Sequence, residues 1–314
     1  MSGGGEFDRI ARYFAPLAAP EALGLLDDAA VIRPNPGEDL VTTVDQMIES
    51  VHFLPEDPPD LVARKLLRRN LSDIAAMGAR PLGYLLTTAL RSDTGEEVLA
   101  RFAEGLAADQ ARYGIGLFGG DSTSTPGPLS FSVTMFGAVA RGQAVRRSGA
   151  RAGDLIVATG TLGDAALGLA AAQGRLGDPT GHLARRRLLP EPPVGLPIAG
   201  LAHAAIDVSD GLLQDLGHVC RASGVAAEID AARVPASDAA LATGDDWTET
   251  RLQGGDDYEL VLAVPAAAEA SLRAAAGAVR LSVIGRFVAG PPAVRMLDAA
   301  GQVLPIAGTG WRHF

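Results

Sequence analysis

One pattern recurs along this chain and restricts its fold more than any other feature. An apolar, strand-like run stops at a carboxylate flanked by glycine, alanine or serine. The fullest case is Leu117-Phe118-Gly119-Gly120-Asp121-Ser122-Thr123-Ser124, where residues 115–118 read as the end of a buried strand. Two glycines let the backbone come close to another group, and Asp121 follows with three hydroxyl residues. A carboxylate and backbone N–H groups just past a strand supply both hard oxygen ligands and anion contacts, which Mg2+-phosphate chemistry needs together. Alone, the stretch reads equally well as an Asp turn. Related acidic turns return at Asp27-Asp28, Asp45, Asp207-x-x-Asp210 and Asp256-Asp257, all but Asp45 beside Gly, Ala or Ser, and Asp73 adds a carboxylate on a helix. Gathered carboxylates repel unless cations sit among them. Mg2+ on a polyphosphate resolves the repulsion, since it takes one or two protein carboxylates and fills its shell with phosphate and water. The joint pattern therefore favours a functional reading over separate turns.

Composition narrows the class. The chain has 314 residues, 47% of them hydrophobic and 20% charged, enough for a sizeable core in two domains. A single Cys excludes an intramolecular disulfide and fits a reducing cytoplasm. No apolar run reaches membrane-spanning length, and residues 1–12 lack a signal-peptide core. A net charge of −10 argues against a nucleic-acid partner but not against a nucleotide bridged by metal ions. Lys65 is the only Lys; lying between Arg64 and Leu66, it rules out a Walker A loop. A Schiff-base enzyme would have to rely on this one residue.

The first half reads as α+β: a short helix over 6–17, a strand following Asp27-Asp28, and strands over 40–45, 81–90, 115–119 and 129–139. Asp60 caps an expected helix over 61–77, with Leu67, Leu71 and Ile74 on one face and Val62 and Leu66 beside them. A second helix over 95–113 carries Val98, Leu99, Phe102 and Leu106 as core positions. Two helices on one face of a largely antiparallel sheet are expected. The Arg- and Gly-rich segment 142–154 separates domain 1–141 from domain 142–314. The second domain is expected to be α/β. Residues 155–160 form a buried run of the parallel-strand type. A helix begins at Asp164, a helix over 212–223 has Asp210 as a candidate N-cap, and strands follow over 260–264, 279–287 and 293–297 with a helix over 266–276.

With these residues in view, the chain resembles the bacterial thiamine-monophosphate kinases, of the superfamily that includes aminoimidazole ribonucleotide synthetase and selenophosphate synthetase. The resemblance runs through Gly5-Glu6-Phe7, Asp27-Asp28-Ala29-Ala30, Asp45 to His52-Phe53, and Asn70-Leu71-Ser72-Asp73-Ile74-Ala75-Ala76-Met77-Gly78-Ala79. It continues through Gly119-Gly120-Asp121, Arg147-Ser148-Gly149-Ala150, Thr159-Gly160-Thr161-Leu162-Gly163-Asp164, Asp207-Val208-Ser209-Asp210-Gly211-Leu212 and Gly255-Asp256-Asp257-Tyr258-Glu259-Leu260. It implies a PurM-like two-domain fold, a homodimer through the N-terminal sheets, and ATP-dependent conversion of thiamine monophosphate to thiamine diphosphate with several Mg2+ ions. By motif, Asp28, Thr43, Asp45, Asp73, Asp121, Asp207 and Asp210 would hold metal; Gly120, Asp121, Arg147 and Ser209 would bind ATP; His52, Asp256 and Trp311 would face the thiamine substrate. A K+ requirement is left open.

Two positions depart from the family pattern: Val44 stands where a hydroxyl residue is common, and Asp256 where Glu is common. Trp311 offers an aromatic face to a cationic thiazolium, or closes the core. Arg147 suits bidentate phosphate recognition, or is a solvated boundary residue. Cys220 reads as a core thiol. No covalent nucleophile or general base is expected, because the acceptor phosphate is already an anion at neutral pH. Competing readings are another ATP-dependent member of the superfamily, which the absence of an N-terminal Cys in residues 1–27 makes a poorer fit to selenophosphate synthetase, and a nucleotide-binding module without turnover.

Overall fold

A computed structural model describes residues 6–26 and 29–305. The chain divides into two compact units, the first running to Ile74 and from Ala79 to Gly142, the second taking Ala75–Gly78 and the chain from Gln143 onward.

The first unit begins with a broken helical segment: α1 (Glu6–Arg9), a wide turn over Ile10–Phe14 and a tight one over Ala15–Leu17. The single helix expected over 6–17 is thus split, because Pro16 lacks the N–H a continuous helix would need. Residues 29–37 form no strand, correcting the expectation of one after the Asp27-Asp28 pair; Val31 instead donates its N–H to the Glu21 carbonyl at 2.9 Å. Strand β1 (Glu38–Ile48), α2 (Pro59–Ala76), β2 (Arg80–Leu90), α3 (Glu96–Tyr113), β3 (Gly116–Ser124) and β4 (Ser130–Ala140) follow. The sheet order is β1-β4-β2-β3; only the β2–β3 pair is parallel. Leu66, Leu67, Leu71 and Ile74 of α2 and Leu106 of α3 are fully buried, and Phe102 stacks on Phe131 with centroids 4.4 Å apart. Each such side chain stabilises the unit by roughly 1.5–3 kcal/mol relative to exposure. The expected two-helix layer is therefore present, with Val98 only half-buried. The opposite sheet face keeps Leu40 and Val44 at 44% and 64% exposure.

The second unit holds β5 (Leu155–Thr159), α4 (Asp164–Ala172), α5 (His182–Leu188), β6 (Ala204–Asp207), α6 (Leu212–Ser223), β7 (Ala226–Asp230), α7 (Asp238–Leu241), α8 (Thr248–Gln253), β8 (Leu260–Val264), α9 (Glu269–Ala275), β9 (Leu281–Val288) and β10 (Ala293–Leu297). They form a six-stranded sheet of order β10-β7-β9-β5-β8-β6. β5 pairs antiparallel with both β8 and β9, which corrects the parallel-type expectation. Its continuous apolar run arises because both sheet faces are covered: Leu212, Leu216, Val219 and Cys220 of α6 pack on one, and Leu272 of α9 with Leu196 and Ile198 on the other. Cys220 is fully buried, and burial pushes its thiol up to about 11, as suits a core residue.

Candidate functional site

In the first unit, Thr43 and Asp45 are two residues apart on β1 and so leave the strand on the same face, towards α2. Thr43 Oγ1 donates to Asp73 Oδ2 at 2.5 Å, and Arg69 Nη2 donates to Asp45 Oδ1 at 3.1 Å. Arg69 and Asp73 are four residues apart, which puts both on one side of α2. A hydroxyl, two carboxylates and a guanidinium thus form one polar row between strand and helix. Its oxygen donors fit Mg2+, which needs no more than one or two carboxylates when phosphate and water complete the shell.

Asp121 stands apart from this row. Asp45 lies opposite Val133, Val133 opposite Leu86, and Leu86 opposite Gly120, so Asp45 and Gly120 occupy one row across the whole sheet. Three strand spacings separate them, about 14 Å. Thr88 donates its hydroxyl to that of Ser122 at 3.0 Å on the helix-covered face, and strand alternation turns Asp121 to the other face. Within one copy of the chain Asp45 and Asp121 cannot share an ion. Among the described residues, no three His, Cys, Asp or Glu side chains are grouped as metal ligands. Gly120 itself is dictated by space: a Cβ there would sit 1.8 Å from the Leu86 carbonyl oxygen. His52 closes the turn after β1, its Nδ1 accepting from the Ile48 N–H at 3.1 Å, which sets the tautomer protonated at Nε2. Asp28 and Trp311 lie outside the described residues.

The second unit brings four expected residues together. Asp207 ends β6 and is buried; Ser209 and Asp210 occupy the turn before α6. The expectation that Asp210 caps α6 is corrected. Gly211 precedes the helix with no side-chain cap, and Asp215 in the first turn does the work instead. Its Oδ2 accepts from the N–H groups of Ser209, Asp210 and Gly211 at 3.1, 3.0 and 3.0 Å. Burial, with the Asp210 charge adding to it, pushes the Asp215 carboxyl up to about 7. Asp210 keeps an outward position, accepting from Gln214 Nε2 at 2.9 Å. The turn then pairs with the segment before β8: Asp256 N–H donates to Ser209 O at 2.8 Å, and Tyr258 N–H to Val208 O at 2.9 Å. A Cβ at Gly255 would lie 2.2 Å from Ser209 O, so only glycine permits this approach. Asp256 is thereby held beside Ser209 and Asp210. Arg147 is exposed; its carbonyl accepts from Ser223 Oγ at 3.3 Å at the end of α6. Burial first, then the charges of Arg221 and Arg147, hold the His218 imidazole below its ordinary value.

Sequence reasoning gave no role to three groups. Arg69 was signalled by its four-residue spacing from Asp73. Asp215 was signalled by an acidic residue in the first turn of a helix. The third is a buried knot around the start of α4. Asp257 accepts from the N–H groups of Gly163 and Ala165 at 2.6 and 3.2 Å, and burial pushes its carboxyl up to about 8. Glu259 accepts from Thr159 Oγ1 at 2.6 Å and from Arg186 at 2.9 Å, while Asp164 accepts from Thr161 and Ser237 hydroxyls at 2.7 and 2.6 Å. Nothing in a local window pairs residues so distant in sequence.

Comparison with known proteins agrees with this layout. The AIR synthase related protein family matches through its N-terminal domain over residues 26–139 and its C-terminal domain over residues 151–297. The thiamine-monophosphate kinase of Caulobacter vibrioides is 46% identical, over 98% of this chain and 90% of its own length. The crystal structure of thiamine-monophosphate kinase from Stenotrophomonas maltophilia K279a superposes with a TM-score of 0.83 at 40% identity, covering 97% of this chain and 98% of that one. A further structure, AaThiL complexed with AMPPCP and TMP, gives a TM-score of 0.79 at 30% identity over 92% and 91% of the two chains. Full-length similarity at this level, on a two-unit fold with acidic turns at its strand ends, places the chain in the thiamine-monophosphate kinases, enzymes of the PurM-like superfamily.

Proposed function

We propose that this chain transfers the γ-phosphoryl group of ATP directly, in line, to the phosphate of thiamine monophosphate with Mg2+ present, yielding thiamine diphosphate and ADP. The observation that carries the reading is the pairing of the Asp207–Asp210 turn with the Asp256 segment inside a chain of this family. On this reading it holds groups that would meet phosphate next to a carboxylate that would meet a cationic ring. The attacking oxygen is already anionic, so no side chain need remove a proton. The protein's task is to cancel repulsion between two polyanions and hold them aligned. Arg147 would pair with phosphate oxygens bidentately, and Ser209 would donate to them. Thr43, Asp45 and Asp73 in one unit, and Asp207 and Asp210 in the other, would hold Mg2+, with Asp28 and Asp121 as further ligands. When bound, Mg2+ supplies positive charge against the phosphates. His52, Asp256 and Trp311 would face the thiamine half of the substrate.

The test is ADP release with ATP and Mg2+, with and without thiamine monophosphate. ADP and thiamine diphosphate in equal amounts, only when both substrates are present, is the expected result. ADP formed equally in the two arms, or in neither, overturns the reading.

The open face of the first sheet bears on assembly. Leu40 and Val44 are exposed there beside Ala138 and Thr134 of β4, and Asp121 projects from the same face. Covering this face with a second copy buries the apolar residues and lets Asp121 complete its ligand set from outside its own chain. Light scattering at micromolar concentration should return twice the 32.2 kDa of one chain. A monomer there counts against the dimer. No helix among the described residues is long and apolar enough to cross a membrane, and the proposed place of action is the cytoplasm.

A further inference from the structure

The segment before β8 carries two backbone outliers. Asp256 and Tyr258 both adopt left-handed backbone conformations, φ +71° and +55°, although neither is glycine. Asp tolerates this region better than most residues, whereas a bulky aromatic rarely enters it. Such outliers persist where the surroundings over-determine them, and they cluster at functional sites. Here the surroundings are the turn Val208-Ser209, which accepts the N–H groups of both residues. Tyr258 is 2% exposed, yet its hydroxyl reaches the half-exposed Asp256 and donates to Oδ1 at 2.7 Å.

We propose that Tyr258 is a positioning residue for the thiamine end of the substrate. Its hydroxyl fixes the rotamer of Asp256, and the backbone pairing with Val208 and Ser209 ties that carboxylate to the phosphate-directed turn. The ring-side and phosphate-side groups of the second unit then move as one body. The inference rests on the reading of Asp256 as a substrate contact, and the experiment separates the two.

Kinetic constants for both substrates are measured for Tyr258→Phe, Asp256→Ala and the double variant in the full-length enzyme. Tyr258→Phe keeps the buried ring and removes the hydroxyl that bonds Asp256. It should raise KM for thiamine monophosphate about fivefold, with KM for ATP and kcat nearly unchanged. Asp256→Ala should raise the same KM at least as much. Because Tyr258 acts through Asp256, the double variant should match Asp256→Ala alone. Effects that multiply, or a Tyr258→Phe variant whose KM for ATP rises equally, would mean that Tyr258 is only a structural residue. If Asp256→Ala raises KM for thiamine monophosphate and Tyr258→Phe does not, the inference fails while the site reading stands. If Asp256→Ala itself leaves that KM unchanged, the site reading fails and the inference with it.

Discussion

Asp210→Asn is expected to lower kcat by about 100-fold or more and to leave the fold intact. The amide keeps the size of the side chain and can still meet Gln214, whose bond to Asp210 is 2.9 Å long. The three N–H groups of the turn are held by Asp215, not by Asp210, so the backbone does not depend on the residue replaced. What is lost is one negative charge aimed outward from the turn. Substitutions that merely disturb partners of metal ligands cost about 10–100-fold, and Asp210, as the direct ligand proposed above, belongs at or beyond the top of that range. Asp121→Asn should behave alike, and both should raise the Mg2+ concentration needed for half-maximal rate. Near-normal turnover of either variant at limiting Mg2+ would remove it from the ligand set.

The largest expected effect on stability lies elsewhere, in the first unit. Asp109 on α3 is fully buried and accepts from Arg68 Nε and Nη2 at 2.7 and 3.0 Å and from Arg64 Nε at 3.0 Å. Arg68 is fully buried as well, with the Tyr113 ring 5.6 Å from its guanidinium carbon. Asp109→Ala strands this cation in the core without its counter-charge. Breaking a buried pair from one side costs about 3–5 kcal/mol, which lowers Tm by about 10 °C in a unit of this size. Arg64→Ala removes only the partner at the rim, 23% exposed, and should cost about 1 kcal/mol or less. Thermal unfolding of the two variants checks the contrast; equal shifts would refute it.

How far the sequence was legible follows a physical line. Helices α2, α3 and α6 were read well because an apolar face repeats at helical spacing over three or more turns. The long strand β4 showed itself by alternation. The Ala-rich β7 went unread, since Ala-Ala-Glu-Ile-Asp carries little alternation and a weak strand propensity. Strand direction was misread at β5, because burial on both faces looks alike in one dimension whether the neighbours run parallel or antiparallel. The same limit applies to the site. Thr43, Asp45 and Asp73 stood in one expected ligand set with Asp121; that the first three share a row while Asp121 leaves the opposite face of the sheet depends on strand register, including the bulge after Tyr84 in the β2–β3 pair. The bonds of Asp215 to the turn and of Tyr258 to Asp256 depend on backbone geometry that no motif spells out.

The pairing of the turn after β6 with the segment before β8 also bears on how the enzyme is born. β6 and β8 meet at Asp207 and Leu260, about fifty residues apart along the chain. Neither turn can organise the other until that long loop closes, and closure of distant strands is slow compared with helix formation. In a nascent chain the turn 207–210 therefore lacks its partner segment until β8 emerges and docks. The proposed phosphate-directed turn reaches its final form only once β8 has paired with β6, while β9 and β10 are still to follow.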